Sequence, residues 1–209
     1  MKQVVLFTEG VRGTIYGIGT YIQQIIECLK NDSALSLHVV YLHSDVLEFT
    51  KENEGTYYSY KFPNTNTFTI EDVTTYYRNA WFVFLSELNP NFKDNYFFHL
   101  NYLSEGHLIP FIKRTFKNSK IIFTIHYQEW CLMLKGNLNY YTEILHKQEN
   151  VITDELEKSV YNSYKEELNV YTKVDLVICL SLYTKRLLES IYNIPASKIK
   201  YECPQVANQ

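Results

Sequence analysis

Residues 4–30, VVLFTEGVRGTIYGIGTYIQQIIECLK, decide the fold. Val4-Val5-Leu6-Phe7-Thr8 is a β-type apolar run. Tyr21, Ile22, Ile25, Ile26 and Leu29 recur at the three- and four-residue spacing of an amphipathic helix. Between them stands Tyr16-Gly17-Ile18-Gly19-Thr20, which opens the helix. A strand, a glycine-bearing turn and a helix N-terminus, in that order, form a device for holding anions. Glycine lets backbone come close, and the unpaired amides at the positive end of the helix dipole face the ligand.

Outward from that stretch the chain alternates. Strands are predicted over 3–8, 35–43, 57–62, 96–100, 119–125, 175–180 and 198–203. Helices are predicted over 18–31, 71–88, 104–116 (kinked at Pro110) and 183–192, with a long polar helical insertion at about 139–172. Asn89-Pro90-Asn91 is the stop signal of the second helix. Continuous apolar strands alternating with helices indicate a Rossmann-like α/β fold, a doubly wound parallel sheet covered by helices on both faces. The expectation is one domain over residues 1–209. In such sheets ligands lie beyond the carboxyl ends of the strands. That rule points to Glu9–Gly19, His43-Ser44-Asp45, His99–Gly106 and His126–Trp130.

Composition excludes several classes. A net charge of −3 without clustered Lys and Arg argues against nucleic acid. No apolar run reaches the roughly 18 residues of a membrane span. Met1-Lys2-Gln3 leads into a strand without a signal-peptide core, so the expected location is cytoplasmic, with peripheral contact at the inner face of a membrane left open. The four cysteines, Cys28, Cys131, Cys179 and Cys203, show no CxxC spacing, and most of them read as small core residues. The six histidines have no metal spacing, so no metal is expected. Nineteen tyrosines and twelve phenylalanines read either as a sugar-binding surface or, preferably, as a compositional bias shared with Lys, Asn and Ile.

A nicotinamide-cofactor site is disfavoured, because G-x-G-x-x-G should start directly after the strand and Ile22 stands where its third glycine belongs. A second segment, Ile121–His126 followed by Tyr127, Gln128, Glu129 and Trp130, puts a histidine at the end of a buried strand. There it can engage a ligand hydroxyl, and Trp130 can offer a flat face to a sugar; the plainer reading is a capping His beside a core Trp. In Val174–Lys185 a strand is followed by Ser181, positioned to cap the next helix. Asp175, Ser181 and Lys185 are therefore structural.

Together, GIGTYIQQIIECL (17–29), KIIFTIHYQEW (120–130) and VDLVICLSLYTKRLLESIYNIPASKIK (174–200) resemble, in order and spacing, the N-terminal domain of GT-B glycosyltransferases of family 4. The resemblance covers essentially the whole chain, and its last segment is the most specific. It implies a retaining transferase that moves a hexose from a nucleotide-diphosphate sugar to a glycan, lipid-linked or peptide acceptor, without a metal or other cofactor. Gly17 and Gly19 would lie on the donor side, His126 would be catalytic, and Tyr127, Glu129 and Trp130 would shape the acceptor side. Three departures stand out. Tyr16 replaces the first of two adjacent glycines, the Pro-Asn-Gly turn is missing after Cys203, and no second domain with Glu-x7-Glu is present. Little or no activity is therefore expected from these residues alone. The competing reading is a non-catalytic partner subunit or binding module of a split GT-B enzyme.

Overall fold

The computed structural model describes residues 2–10, 17–65, 69–88 and 96–202. Along the chain these are β1 (Lys2–Glu9), α1 (Gly17–Leu29), β2 (Leu35–Ser44), β3 (Thr50–Asn53), β4 (Tyr58–Pro63), α2 (Ile70–Glu87), β5 (Tyr96–Leu100) and α3 (Ile109–Thr115). They continue with β6 (Lys120–Ile125), α4 (Glu129–Met133), α5 (Leu138–His146), α6 (Glu155–Lys173), β7 (Leu176–Cys179), α7 (Leu182–Ser190) and β8 (Ile199–Tyr201). The sheet order is β3-β4-β2-β1-β5-β6-β7-β8. β1 pairs in parallel with β2 and β5, and β3 with β4 is the antiparallel edge. The fold is the expected Rossmann-like α/β sheet. Tyr16, Asn89-Pro90-Asn91 and the segment from Cys203 onward lie outside the described residues.

Two compact units divide the chain: residues 1–124 with 174–176, and residues 125–173 with 177–209. In the first, β1 is buried on both faces, as its unbroken apolar run requires. Leu6 joins Ile18, Ile22 and Ile26 of α1 with Leu37, Val39 and Tyr102. Phe7 points the other way, edge-on to Phe84 of α2 at 5.9 Å and stacked on Phe98 at 6.5 Å. Trp81 meets Phe98 and Phe116 in the same layer. In the second unit Trp130, Leu134, Tyr141, Ile144, Ile152, Val160 and Leu187 form a separate cluster. Aromatic residues thus supply much of the core: among the described residues, ten of the twelve largest fully buried side chains are Trp, Tyr or Phe, which neither sequence reading anticipated.

Local differences have local causes. The helix predicted over 104–116 is a 3-10 turn, Leu103–Leu108, followed by α3, in whose first turn Pro110 sits. Proline lacks an N–H and is tolerated there, so it starts α3 rather than kinking a longer helix. The insertion at 139–172 is two helices, α5 and α6, separated by a 3-10 turn over Glu149–Val151. Asp154 marks the restart, its Oδ1 accepting the Glu157 N–H at 3.0 Å. Cys28 is exposed rather than core, whereas Cys179 is buried.

Candidate functional site

In the first unit, strand order reverses at β1, with β2 on one side and β5 on the other. The carboxyl ends flanking that switch point are where α/β sheets bind ligands. Four polar groups meet there. Asn101 Nδ2 donates to the Phe7 carbonyl at 2.9 Å, tying β5 to β1. Ser104 Oγ donates to Glu9 Oε1 at 2.9 Å. Glu105, fully buried, accepts the Asn101 and Tyr102 N–H groups on Oε2 at 2.6 and 3.2 Å. Its Oε1 has no hydrogen-bond partner. Burial is the main force pushing the Glu105 acid well above the usual carboxylate range, and the nearby Glu9 adds to it, so the site favours the protonated form.

Glycine has different meanings at two positions here. A side chain at Gly10 would collide with Ser44, whose Cα lies 2.8 Å from the added carbon, so β1 and β2 can converge only with glycine there. At Gly17, the first residue of α1, an added carbon would meet nothing within 4 Å. Among the described residues the α1 N-terminus is therefore uncrowded at Gly17, beside Ile18, which packs in the same cluster as Leu6 and Tyr102. Gly19 is half-buried one turn-step further on. Sequence reasoning singled out the open glycine and missed Gly10, whose constraint comes from a partner on another strand.

At the end of β2, His43 adopts a positive φ of 48° and stacks on Tyr76 at 4.1 Å, and its N–H donates to the Tyr76 hydroxyl at 2.7 Å. Tyr76 also walls a groove of about 410 Å3 that Phe49, Phe62, Asp72 and Asn79 line.

The second unit carries the histidine segment. His126 directly follows β6 and is half-buried; desolvation lowers its pKa to about 4, so the ring is neutral at physiological pH. Tyr127 is 45% exposed, whereas Gln128 is buried. Glu129 opens α4 and its N–H donates to Glu167 Oε1 at 3.2 Å. Trp130 corrects the expectation of an acceptor platform. It is 1% exposed, and its ring lies face to face with Tyr141 at 4.5 Å and 7°. A ring stacked in a core has no face left for a sugar, and the plainer reading of a core Trp is the one that holds.

Among the described residues, no three His, Cys, Asp or Glu side chains are grouped so as to hold a metal ion. No described helix is long and apolar enough to cross a membrane.

No protein-family model and no curated protein sequence matches the chain. Solved structures do. A sucrose-phosphate synthase from Thermosynechococcus elongatus is similar at TM-score 0.57 and 10% identity, over 99% of this chain and 91% of that one. LpCGTa, solved in complex with UDP, is similar at TM-score 0.56 and 11% identity, over 99% of this chain and 55% of that one. The catalytic domain of Starch Synthase IV from Arabidopsis thaliana, bound to ADP and acarbose, is similar at TM-score 0.50 and 9% identity, over 97% of this chain and 51% of that one. The chain thus spans about half the length of the last two. At these identities the likeness is one of fold, and the fold is one found in GT-B glycosyltransferases, without singling out family 4.

Proposed function

We propose that this chain is the acceptor-side half of a retaining glycosyltransferase of the family 4 type. It acts on a nucleotide-diphosphate hexose and a glycan, lipid-linked or peptide acceptor, and a second domain supplies most donor contacts. The family assignment rests on the three sequence segments, and the shared fold supports the broader transferase reading.

The observation that carries the reading is His126, a desolvated neutral imidazole at the carboxyl end of β6. A neutral ring offers one donor and one acceptor nitrogen, the pair needed to hold a sugar hydroxyl in both senses. Gly17 and Gly19 supply an open helix N-terminus whose amides suit the developing charge of a diphosphate leaving group. Tyr127, exposed, and Glu129 are the acceptor-side candidates; Trp130 supports them from the core. No metal is required by this scheme, because backbone amides and cations of the second domain meet the leaving-group charge. The protein works in the cytoplasm, at most touching a membrane from its inner face.

The test is transfer and sugar-nucleotide hydrolysis by the complete transferase, the 209 residues together with their donor-binding domain, against UDP-, ADP- and GDP-hexoses. His126→Ala is expected to lower kcat/KM by roughly ten- to a hundredfold, the worth of one or two desolvated hydrogen bonds. A folded variant with unchanged turnover would overturn the assignment. A second reading, a non-catalytic subunit, draws on the exposed Leu132 (66%), Leu182 (53%) and Tyr183 (48%) of the second unit. Under it, no hexose is transferred whichever donor domain is supplied.

A further inference from the structure

The turn that carries His126 is held by side chains from α6 and from the residues after α7. Glu167, on α6 and 2% exposed, accepts the Glu129 N–H on Oε1 at 3.2 Å. Its Oε2 accepts the Tyr192 hydroxyl in a very short contact. The Tyr192 oxygen in turn lies 2.8 Å from the Tyr141 hydroxyl and accepts the Gln128 amide Nε2–H at 3.1 Å. So two consecutive residues of the turn, Gln128 through its side chain and Glu129 through its backbone, end on one buried carboxyl.

Counting protons shows which form of that carboxyl the network is built for. A tyrosine hydroxyl has one proton to give and two lone pairs to receive. With Glu167 ionised, Tyr192 gives its proton to the carboxylate and receives one from Tyr141 and one from Gln128. The four hydrogen bonds named above are then all made. With a proton on Oε2, the acid, Tyr141 and Gln128 compete for the two lone pairs of Tyr192, and one hydroxyl proton is displaced. The network therefore fits a carboxylate.

We propose that Glu167 is a positioning residue for His126: as a carboxylate on α6 it fixes the Gln128-Glu129 turn from beneath and so sets the direction of the imidazole two residues earlier. The part of the proposal that concerns catalysis rests on the reading of His126 given above. Protonation slackens the same clamp. Burial raises the Glu167 acid to about 7, and Glu129 on α4 and Glu166 on α6 push in the same direction. The other titratable groups facing it are Cys131 on α4, Tyr141 on α5, Tyr171 on α6 and Tyr192, all neutral at that pH. The clamp is thus half-engaged near neutrality.

Two measurements test this. In the first, amide and imidazole NMR signals of the 209-residue chain are followed from pH 5.5 to 8.5. The Glu129 amide proton is expected to shift with a midpoint near 7, with His126 ring signals moving in step although the ring itself stays neutral. Both movements are expected to vanish in Glu167→Gln and to weaken in Tyr192→Phe, which removes only a hydroxyl. Absence of a titration in the wild-type chain, or its survival in Glu167→Gln, overturns the proposal. In the second, the complete transferase carrying Glu167→Gln is expected to lose kcat roughly ten- to a hundredfold with KM for donor little changed, and to lose the acidic limb of its pH profile near 7. A folded variant with wild-type rate and profile overturns it. If instead His126→Ala leaves turnover intact while the Glu129 titration stands, the catalytic reading fails and the clamp survives.

Discussion

His38 on β2 shows how much one buried side chain can be told by its partners. Its Nδ1 lies 3.0 Å from the Tyr60 hydroxyl, and Nε2 lies 3.0 Å from Gln3 Oε1. An amide oxygen can only accept, so Nε2 carries the proton and Nδ1 receives the tyrosine proton. A second proton would make Nδ1 a donor and turn the Tyr60 hydroxyl from donor to acceptor, and burial, helped by Lys51, lowers the pKa to about 4. The expected result in an NMR titration is a ring that stays neutral down to about pH 4; a midpoint near 6.5 would mean that Tyr60 and Gln3 do not hold it. His126 reaches a similar value by desolvation alone. It belongs to a functional candidate because its ring is only half-buried at the end of a strand, whereas His38 is buried inside the sheet.

Among the elements, α4 and α7 separate two ways of fixing a helix. Ser181 caps α7, its Oγ accepting the Thr184 N–H at 3.0 Å. Ser181→Ala is expected to cost about 1 kcal/mol in urea unfolding, the usual worth of an N-cap. The five-residue α4 has no side-chain cap and is too short to stand on propensity. It is held by Trp130 against Tyr141 and by the Glu129–Glu167 bond. Trp130→Ala should therefore cost about 3–5 kcal/mol, several times the cap, because it opens a cavity in a close-packed core. Equal losses from the two substitutions would show that the Trp130 stack contributes little. The cap was legible because a serine after a strand is a local signal. The element α4 was not, since its support comes from residues a long way along the chain.

At the scale of the whole molecule, two histidines and two buried acids among the described residues contribute to the pH dependence of stability. His38 and His126 have lowered native pKa values, so their contribution is present above about 6.5 and is lost as pH falls through about 4. Glu105 and Glu167 have raised values, so theirs is complete below about 4.5 and is lost as pH rises, through about 7 for Glu167 and in the same direction for Glu105. Between 4.5 and 6.5 the two histidines and the two acids oppose each other. Above 6.5 the acids act alone, Glu167 on the order of 1 kcal/mol per pH unit up to its own pKa. Stability is therefore expected to be nearly level from pH 4.5 to 6.5 and to decline on the alkaline side. Glu167→Gln, in denaturant titrations at pH 6 and 8, should shrink the decline; a decline of undiminished size would exclude Glu167 as its source.

Sequence by itself determined the alternation of strand and helix, the parallel sheet and the strand ends at which ligands belong. These follow from the spacing of apolar residues along the chain and from Gly, Pro and Ser signals within a few positions. It also marked Gly17 and His126, because a helix opening and a strand end are local. Tertiary structure alone decided the rest. It closed Trp130 into the core against Tyr141, required glycine at Gly10 because Ser44 stands opposite, and buried Glu105 fully, which raises its pKa. It also brought Glu167 and Tyr192 under the histidine turn. The contacts of Trp130, Gly10 and Glu167 each reach a partner more than ten residues away, and the free energy of burying a polar group is set by its tertiary surroundings rather than by its neighbours in sequence.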